Sequence, residues 1–225
     1  MKGVKMNCWH CGTELIWGGA HDLDGFSEEY DVVTNLSCPN CGAAVEVYRP
    51  NYEHEDMREY KKNLENDIRE AGDGLQMRNP SAKCLMTRWD MHEQYKSFRM
   101  LGNAAISLAS LMPLATRTYE DGRQRPVEYK ISSSWGLIYN QGQKTNSHTH
   151  WADTWSWTYC VKACEDCSPL IFTHTKKEDL ISKACYSIAP QESQMIIFPG
   201  WVHHEVPEQP CEHERIMIAG NLVGY

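Results

Sequence analysis

The chain has 225 residues, 41% of them hydrophobic, and a formal net charge of -8. That length can bury one sizeable core plus a small satellite module, and the acidic balance argues against a protein that coats nucleic acid electrostatically. No apolar run reaches the roughly 20 residues of a membrane-spanning helix, and Met1-Lys2-Gly3-Val4-Lys5 leads to Cys8 without an apolar export segment, so a soluble, cytoplasmic protein without a membrane partner is expected.

Ten cysteines in such a chain read as metal ligands rather than disulfides. Cys8-Trp9-His10-Cys11-Gly12 and Cys38-Pro39-Asn40-Cys41-Gly42 are matching knuckles. Each presents two thiolates, so Cys8, Cys11, Cys38 and Cys41 complete a tetrahedral zinc site and leave His10 for the surface. The glycine after each second cysteine permits a tight turn that aims backbone N–H groups at sulfur. Thr13–Trp17, Asp31–Leu36 and Ala43–Tyr48 read as short strands around the knuckles. With Trp17-Gly18-Gly19-Ala20-His21-Asp22 and Thr34-Asn35-Leu36-Ser37-Cys38-Pro39, residues 1–50 resemble the zinc ribbon of many phage-encoded proteins. Such a closed metal site supplies folding energy or recognition and has no open position for catalysis.

Arg49-Pro50-Asn51 ends the ribbon, and residues 51–112 read as a helical connector or support. From Glu53 to Glu70 the chain is highly charged, with Met57, Tyr60, Leu64 and Ile68 on one helical stripe. Ala71-Gly72-Asp73-Gly74 stops that helix and Asn79-Pro80-Ser81 punctuates again. A second helical stretch is expected from Ala82 to Met112; His92 within it has no partner at metal-binding spacing.

Beyond Pro113 the texture turns to β. Tyr129–Asn140, Trp155–Lys162, Leu170–Thr173, Ala184–Ile188, Gln194–Phe198, Trp201–Val206 and Arg215–Asn221 are short β-branched or aromatic runs divided by turn residues. The expected fold is mainly β with helical support (α+β): a jelly-roll or cupin-like domain over 113–225 behind the small N-terminal ribbon.

His148-Thr149-His150 places two imidazoles on the same side of an extended strand, where both can grip one metal ion. A third is available from His203-His204, and Arg215 follows about one strand and a turn later. Three such ligands leave about half of an octahedral iron's positions open, the logic of non-haem Fe(II) oxygenases. The usual facial triad has a carboxylate where this chain has His150. Either the site uses three histidines, or Asp153 supplies the carboxylate after a local bulge.

The last two-fifths of the chain resemble the 2-oxoglutarate/Fe(II)-dependent oxygenases with a double-stranded β-helix, a family also common in phages. The resembling pieces are Ser134-Trp135, His148-Thr149-His150, Ser156-Trp157-Thr158-Tyr159, Ser168-Pro169-Leu170-Ile171-Phe172, Phe198-Pro199-Gly200-Trp201-Val202-His203-His204-Glu205-Val206, and Arg215 leading to Asn221. The resemblance implies Fe(II) on His148, His150 and His204, with His204 rather than His203 in register. It places Arg215 at the distal carboxylate of 2-oxoglutarate, a fit for a guanidinium fork. Tyr139, Asn140, Trp155, Tyr159 and Asn221 are candidates to line the pocket. The implied reaction consumes 2-oxoglutarate and O2 to hydroxylate a substrate, with the ribbon recruiting a macromolecule, protein or nucleic acid, in the cytoplasm (of the host, if phage-encoded). Two alternatives stand: a three-histidine cupin dioxygenase that needs no 2-oxoglutarate, and a non-catalytic binding or virion-associated scaffold.

Cys164-Glu165-Asp166-Cys167 and Cys211-Glu212-His213 flank Lys162 and Arg215. In a double-stranded β-helix these turns belong to antiparallel neighbours and meet at the end of the barrel away from iron. Cys164, Cys167, Cys211 and His213 are then candidates for a second zinc. Cys84, Cys160 and Cys185 are expected to be buried thiols.

Overall fold

The computed structural model describes residues 8, 11–14, 16–22, 30–42, 44–50, 55–71, 81–112, 116–118, 123–173 and 186–225. His10 and Cys185, named above, lie outside them, as does the side chain of Met57. In chain order the elements are β1 (Ile16–Asp22), β2 (Tyr30–Ser37), β3 (Ala44–Pro50), α1 (Glu55–Glu70), β4 (Ala82–Lys83), β5 (Leu85–Met86), α2 (Met91–Gln94) and α3 (Lys96–Ala109). There follow β6 (Thr116–Thr118), β7 (Gln124–Pro126), β8 (Tyr129–Tyr139), β9 (Lys144–His148), β10 (Trp155–Lys162) and β11 (Leu170–Phe172). The last four are β12 (Tyr186–Ile188), β13 (Met195–Pro199), β14 (His204–Val206) and β15 (Arg215–Gly224).

Two antiparallel sheets make the barrel. The larger runs β1-β2-β3-β13-β10-β15-β8-β5 and the smaller β12-β11-β14-β9-β4. Because side chains alternate along a strand, the large sheet feeds two cores. Trp135, Leu137, Tyr139, Ile196, Phe198, Met217 and Ala219 turn inward and meet Phe172 and Val206 of the small sheet. Ile138, Trp155, Trp157, Tyr159, Ile197, Ile216 and Ile218 turn outward and are covered by the helices. This is the double-stranded β-helix that the sequence led us to expect.

The helices form because their apolar residues repeat at helical spacing. Leu64 and Ile68, one turn apart on α1, are fully buried, and burying each such side chain contributes about 2 kcal/mol. On α3, Phe98, Leu101, Ala105, Leu108 and Ala109 make the matching stripe. Tyr60 ties the two by donating to the Ser97 carbonyl at 2.7 Å.

The expected helix from Ala82 begins only at Met91. Residues 82–86 instead pair at the sheet edges, β4 with β9 and β5 with β8. Ala82, Cys84 and Met86 alternate into the barrel interior, so tertiary pairing overrides the helical propensity of the segment. The β6–β7 ribbon had no counterpart in the sequence reading. The N-terminal meander is continuous with the barrel, since β3 pairs with β13 from Tyr48↔Met195 to Glu46↔Ile197.

Candidate active site

His148 closes β9 and His204 opens β14, and the two are opposite residues of one antiparallel pair. His150 lies just past the end of β9 rather than on it; its N–H donates to the Gly200 carbonyl at 2.7 Å. A Cβ at position 200 would collide with the Asp153 carbonyl, so the glycine of Phe198-Pro199-Gly200-Trp201 lets that loop close down and carry His150 back to its partners. The three rings converge, with centroids 4.3 Å apart for His148 and His204, 4.9 Å for His148 and His150 and 5.2 Å for His150 and His204. One nitrogen from each lies within 4.8 Å of the others.

Protonation suits a metal. The Nδ1 atoms of His148 and His204 lie 2.8 and 2.9 Å from the carbonyls of Asn146 and Val202. A carbonyl only accepts, so Nδ1 carries the proton and Nε2 keeps a lone pair for a cation. Burial lowers the pKa of His150 to about 4, with the neighbouring His148 adding to the effect. Burial likewise pushes His148 down, and His204 well down. All three are neutral donors at pH 7.

Asp153 is not among the converging groups. Its carboxylate accepts from the Ser132 hydroxyl at 2.6 Å, so the structure brings together three histidines and leaves the alternative carboxylate outside. His203 also lies outside the cluster, with its carbonyl accepting from the Thr173 N–H at 3.0 Å.

Arg215 begins β15 opposite Tyr139, faces inward and is 2% exposed. Its guanidinium lies over the Tyr139 ring, 5.2 Å from the centroid. Nε and Nη1 are buried and have no hydrogen-bond partner among the described residues, and the same holds for Thr158 Oγ1. Two cavities in the barrel share the walls Leu137, Tyr139, Thr158, Leu170 and Val206; one reaches the three histidines and the other reaches Arg215. Buried donors of this kind cost about 1–3 kcal/mol each when left unpaired, so this end of the barrel is built to receive an anion. Thr158 was not singled out from the sequence, where it reads only as one more β-former in an aromatic run.

Of the other expected pocket residues, Asn140, Trp155 and Tyr159 fall elsewhere and Tyr139 and Asn221 do not. Asn140 sits in the turn after β8, its N–H capped by the Gln143 side chain at 2.9 Å, and lines neither cavity. Trp155 and Tyr159 belong to the helix-side core, because the inward positions of β10 are Ser156, Thr158 and Cys160. Asn221 is buried beside the histidines, accepting from Ser156 Oγ at 2.8 Å, with Nδ2 3.4 Å from His150 Nδ1. Tyr139 lines both cavities and its hydroxyl bonds Thr145 Oγ1 at 2.7 Å.

The cysteines also gather. Cys8, Cys11, Cys38 and Cys41 converge, with Sγ–Sγ distances of 3.4 Å for Cys8–Cys41 and for Cys11–Cys38. Gly12 and Gly42 take φ of 76° and 71° and donate to the Cys8 and Cys38 carbonyls, the left-handed turn expected of a knuckle. Cys164, Cys167 and Cys211 form a second cluster that does not include the His213 ring. Cys84 and Cys160 are buried, and burial pushes both thiols up to about 12.

Residues 133–221 match the family model described as "Putative 2OG-Fe(II) oxygenase". No curated protein matches the chain. Among solved structures, the viral collagen prolyl hydroxylase of Paramecium Bursaria Chlorella virus-1, a 2OG complex, is 14% identical, with 73% of this chain and 90% of that one covered and a TM-score of 0.52. A prolyl hydroxylase from Trichoplax adhaerens, in complex with a hypoxia inducible factor peptide fragment, is 13% identical over 73% of this chain and 78% of that one (TM-score 0.50). HygX from Streptomyces hygroscopicus, with nickel, 2-oxoglutarate and hygromycin B bound, is 9% identical over 80% and 82% (TM-score 0.53). Residues 133–221 thus carry the 2OG-Fe(II) oxygenase pattern, on a double-stranded β-helix of the kind found in these structures.

Proposed function

We propose that the protein is an Fe(II)- and 2-oxoglutarate-dependent dioxygenase that hydroxylates a macromolecular substrate in the cytoplasm. The observation that carries this reading is Arg215, a buried guanidinium with two unpaired donor nitrogens at the far end of a cavity system that begins at three neutral histidines. The donor set fits the group it would hold: His148, His150 and His204 would ligate iron, and Arg215 with the Thr158 hydroxyl would take the distal carboxylate of 2-oxoglutarate. When bound, the pair supplies O2 activation, with one oxygen atom entering succinate as 2-oxoglutarate loses carbon dioxide and the other entering a substrate C–H bond.

The chain's own part is positional. Two carbonyls orient His148 and His204, Gly200 admits the loop that carries His150, and the apolar walls Leu137, Leu170 and Val206 limit water around the reacting centre. A neutral third ligand in place of a carboxylate leaves the site one unit more positive, which suits a dianionic co-substrate. Four thiols at the N-terminus at mutual spacings near those of a tetrahedral site support zinc on Cys8, Cys11, Cys38 and Cys41, and we assign this ribbon to substrate recruitment. The Trichoplax hydroxylase holds a peptide, and we take a protein substrate as the first to try.

The test is anaerobic. Metal-stripped protein receives Fe(II) and 2-oxoglutarate, and the visible metal-to-ligand charge-transfer band is recorded for wild type and Arg215→Ala. A band that weakens in the variant supports the proposal. Iron binding without a band points to a three-histidine dioxygenase that uses no 2-oxoglutarate, and a protein that takes up no iron is a scaffold.

A further inference from the structure

A second cluster of thiols lies at the opposite end of the barrel. β10 and β15 are antiparallel neighbours paired from Trp155↔Leu222 to Lys162↔Ile216. The turn leaving β10 and the loop entering β15 therefore meet at the end remote from His150. Cys164 and Cys167 come from the first and Cys211 from the second. Their Sγ atoms are 3.5 Å apart for Cys164–Cys167, 3.5 Å for Cys164–Cys211 and 3.8 Å for Cys167–Cys211.

Those distances decide between chemistries. A disulfide needs about 2.0 Å, and no pair is close to it. Two thiolates bound at about 2.3 Å on a tetrahedral zinc ion stand about 3.8 Å apart, and all three pairs are near that value. Three thiols from loops 44 and 47 residues apart in sequence form a preshaped triangle. The solvent side is open: Cys164 and Cys211 are half-buried and His213, two residues beyond Cys211, is exposed. Its carbonyl lies 3.8 Å from Cys211 Sγ, and it is the imidazole-bearing residue nearest in sequence to this cluster's second loop.

We infer that Cys164, Cys167 and Cys211 hold one zinc ion, with His213 as the fourth ligand. The ion staples the β10–β11 turn to the loop that delivers Arg215. That loop is also held by Arg69 of α1, whose Nη2 donates to Glu214 at 2.6 Å. The staple thus fixes the position from which Arg215 enters the cavity. This last consequence rests on the reading of Arg215 given above, whereas the metal site does not.

The test uses the full chain purified with zinc and labelled with N-ethylmaleimide, with each cysteine read by mass spectrometry. Cys164, Cys167 and Cys211 are expected to resist labelling and to become reactive together when a mercurial strips the zinc. In Cys211→Ala, Cys164 and Cys167 lose protection, the four N-terminal cysteines keep it, and zinc content falls by one per chain. Labelling of the three at the same rate before and after stripping, a disulfide between any two, or unchanged zinc in Cys211→Ala overturns the site. The wild-type labelling needs no variant, so a poorly folded Cys211→Ala does not rescue or sink it. His213→Ala should release this zinc to a competing chelator more readily than wild type; unchanged retention overturns His213 as the fourth ligand. If zinc is present but 2-oxoglutarate binding is insensitive to its removal, the staple stands and its link to Arg215 falls.

Discussion

His148 and His204 face each other as direct partners across β9 and β14, and each orients its ring against the carbonyl two residues earlier in its own chain. The same local device used twice, on adjacent strands, leaves two Nε2 lone pairs converging with His150. Adjacent residues in this segment differ sharply in what they can do. His204→Ala is expected to abolish stoichiometric binding of Fe(II) or of its redox-inert substitutes, while His203→Ala, whose ring is not among the three converging ligands, keeps it. Calorimetric titration with Co(II) or Ni(II) measures both, and equal loss in the two variants would remove His204 from its assigned place.

Arg215 gives a prediction with two opposite signs. Its unpaired buried donors cost the protein without ligand about 1–3 kcal/mol each, and an apolar residue of similar size removes that cost. Arg215→Met should therefore melt no lower than wild type without ligand, and should lose the upward shift in Tm that 2-oxoglutarate gives the wild type in the presence of Mn(II). Thr158→Val should lose part of that shift. A variant that melts lower and still responds to 2-oxoglutarate would mean that Arg215 is structural.

How much of this could be read from the chain depends on which signals are local. The ligand histidines and Arg215 stand out because their chemistry is rare inside β-runs, and spacing suffices to pick them. Thr158 does not, because its role appears only once strand alternation has turned Trp155, Trp157 and Tyr159 to the helices and left positions 156, 158 and 160 facing the barrel. Asn140 was misplaced for the same kind of reason: the chain leaves β8 at Tyr139, and Asn140 enters the turn. Residues 82–86 look helical by composition, and become strands only because β8 and β9 offer them open edges. The Cys164, Cys167 and Cys211 cluster was legible once the topology was guessed, since antiparallel neighbours must bring their ends together.

Gly200 controls His150 without touching metal. A methyl group there meets the Asp153 backbone, which cannot rotate away as a side chain could, so Gly200→Ala must push the 150–153 loop outward or break the His150 N–H bond to the Gly200 carbonyl. The expected result is a metal affinity reduced by about 10- to 100-fold, the usual effect of disturbing a supporting shell. The β10–β13 pairing should persist, visible as an unchanged far-ultraviolet circular dichroism spectrum. Unchanged Co(II) affinity in Gly200→Ala would show that the loop has room the packing does not suggest.

The neutral histidines make the metal-free protein sensitive to mild acid. His150 titrates near 4 in the folded chain, held down by burial first and by His148 second, against about 6.5 when unfolded. Above pH 6.5 neither state binds the proton and His150 contributes nothing to the pH dependence. Between about 6.5 and 4 the unfolded chain takes up a proton that the folded chain refuses, so stability falls as pH falls. The loss approaches about 3 kcal/mol at the acid end for this residue, and His148 and His204, also lowered, act in the same direction. Melting temperatures of metal-free wild type and His150→Gln from pH 7.5 to 4.5 separate this from general carboxylate titration. The wild type should lose stability more steeply below pH 6.5 than the variant, and parallel curves would mean that His150 is open to water rather than shielded beside its two partners.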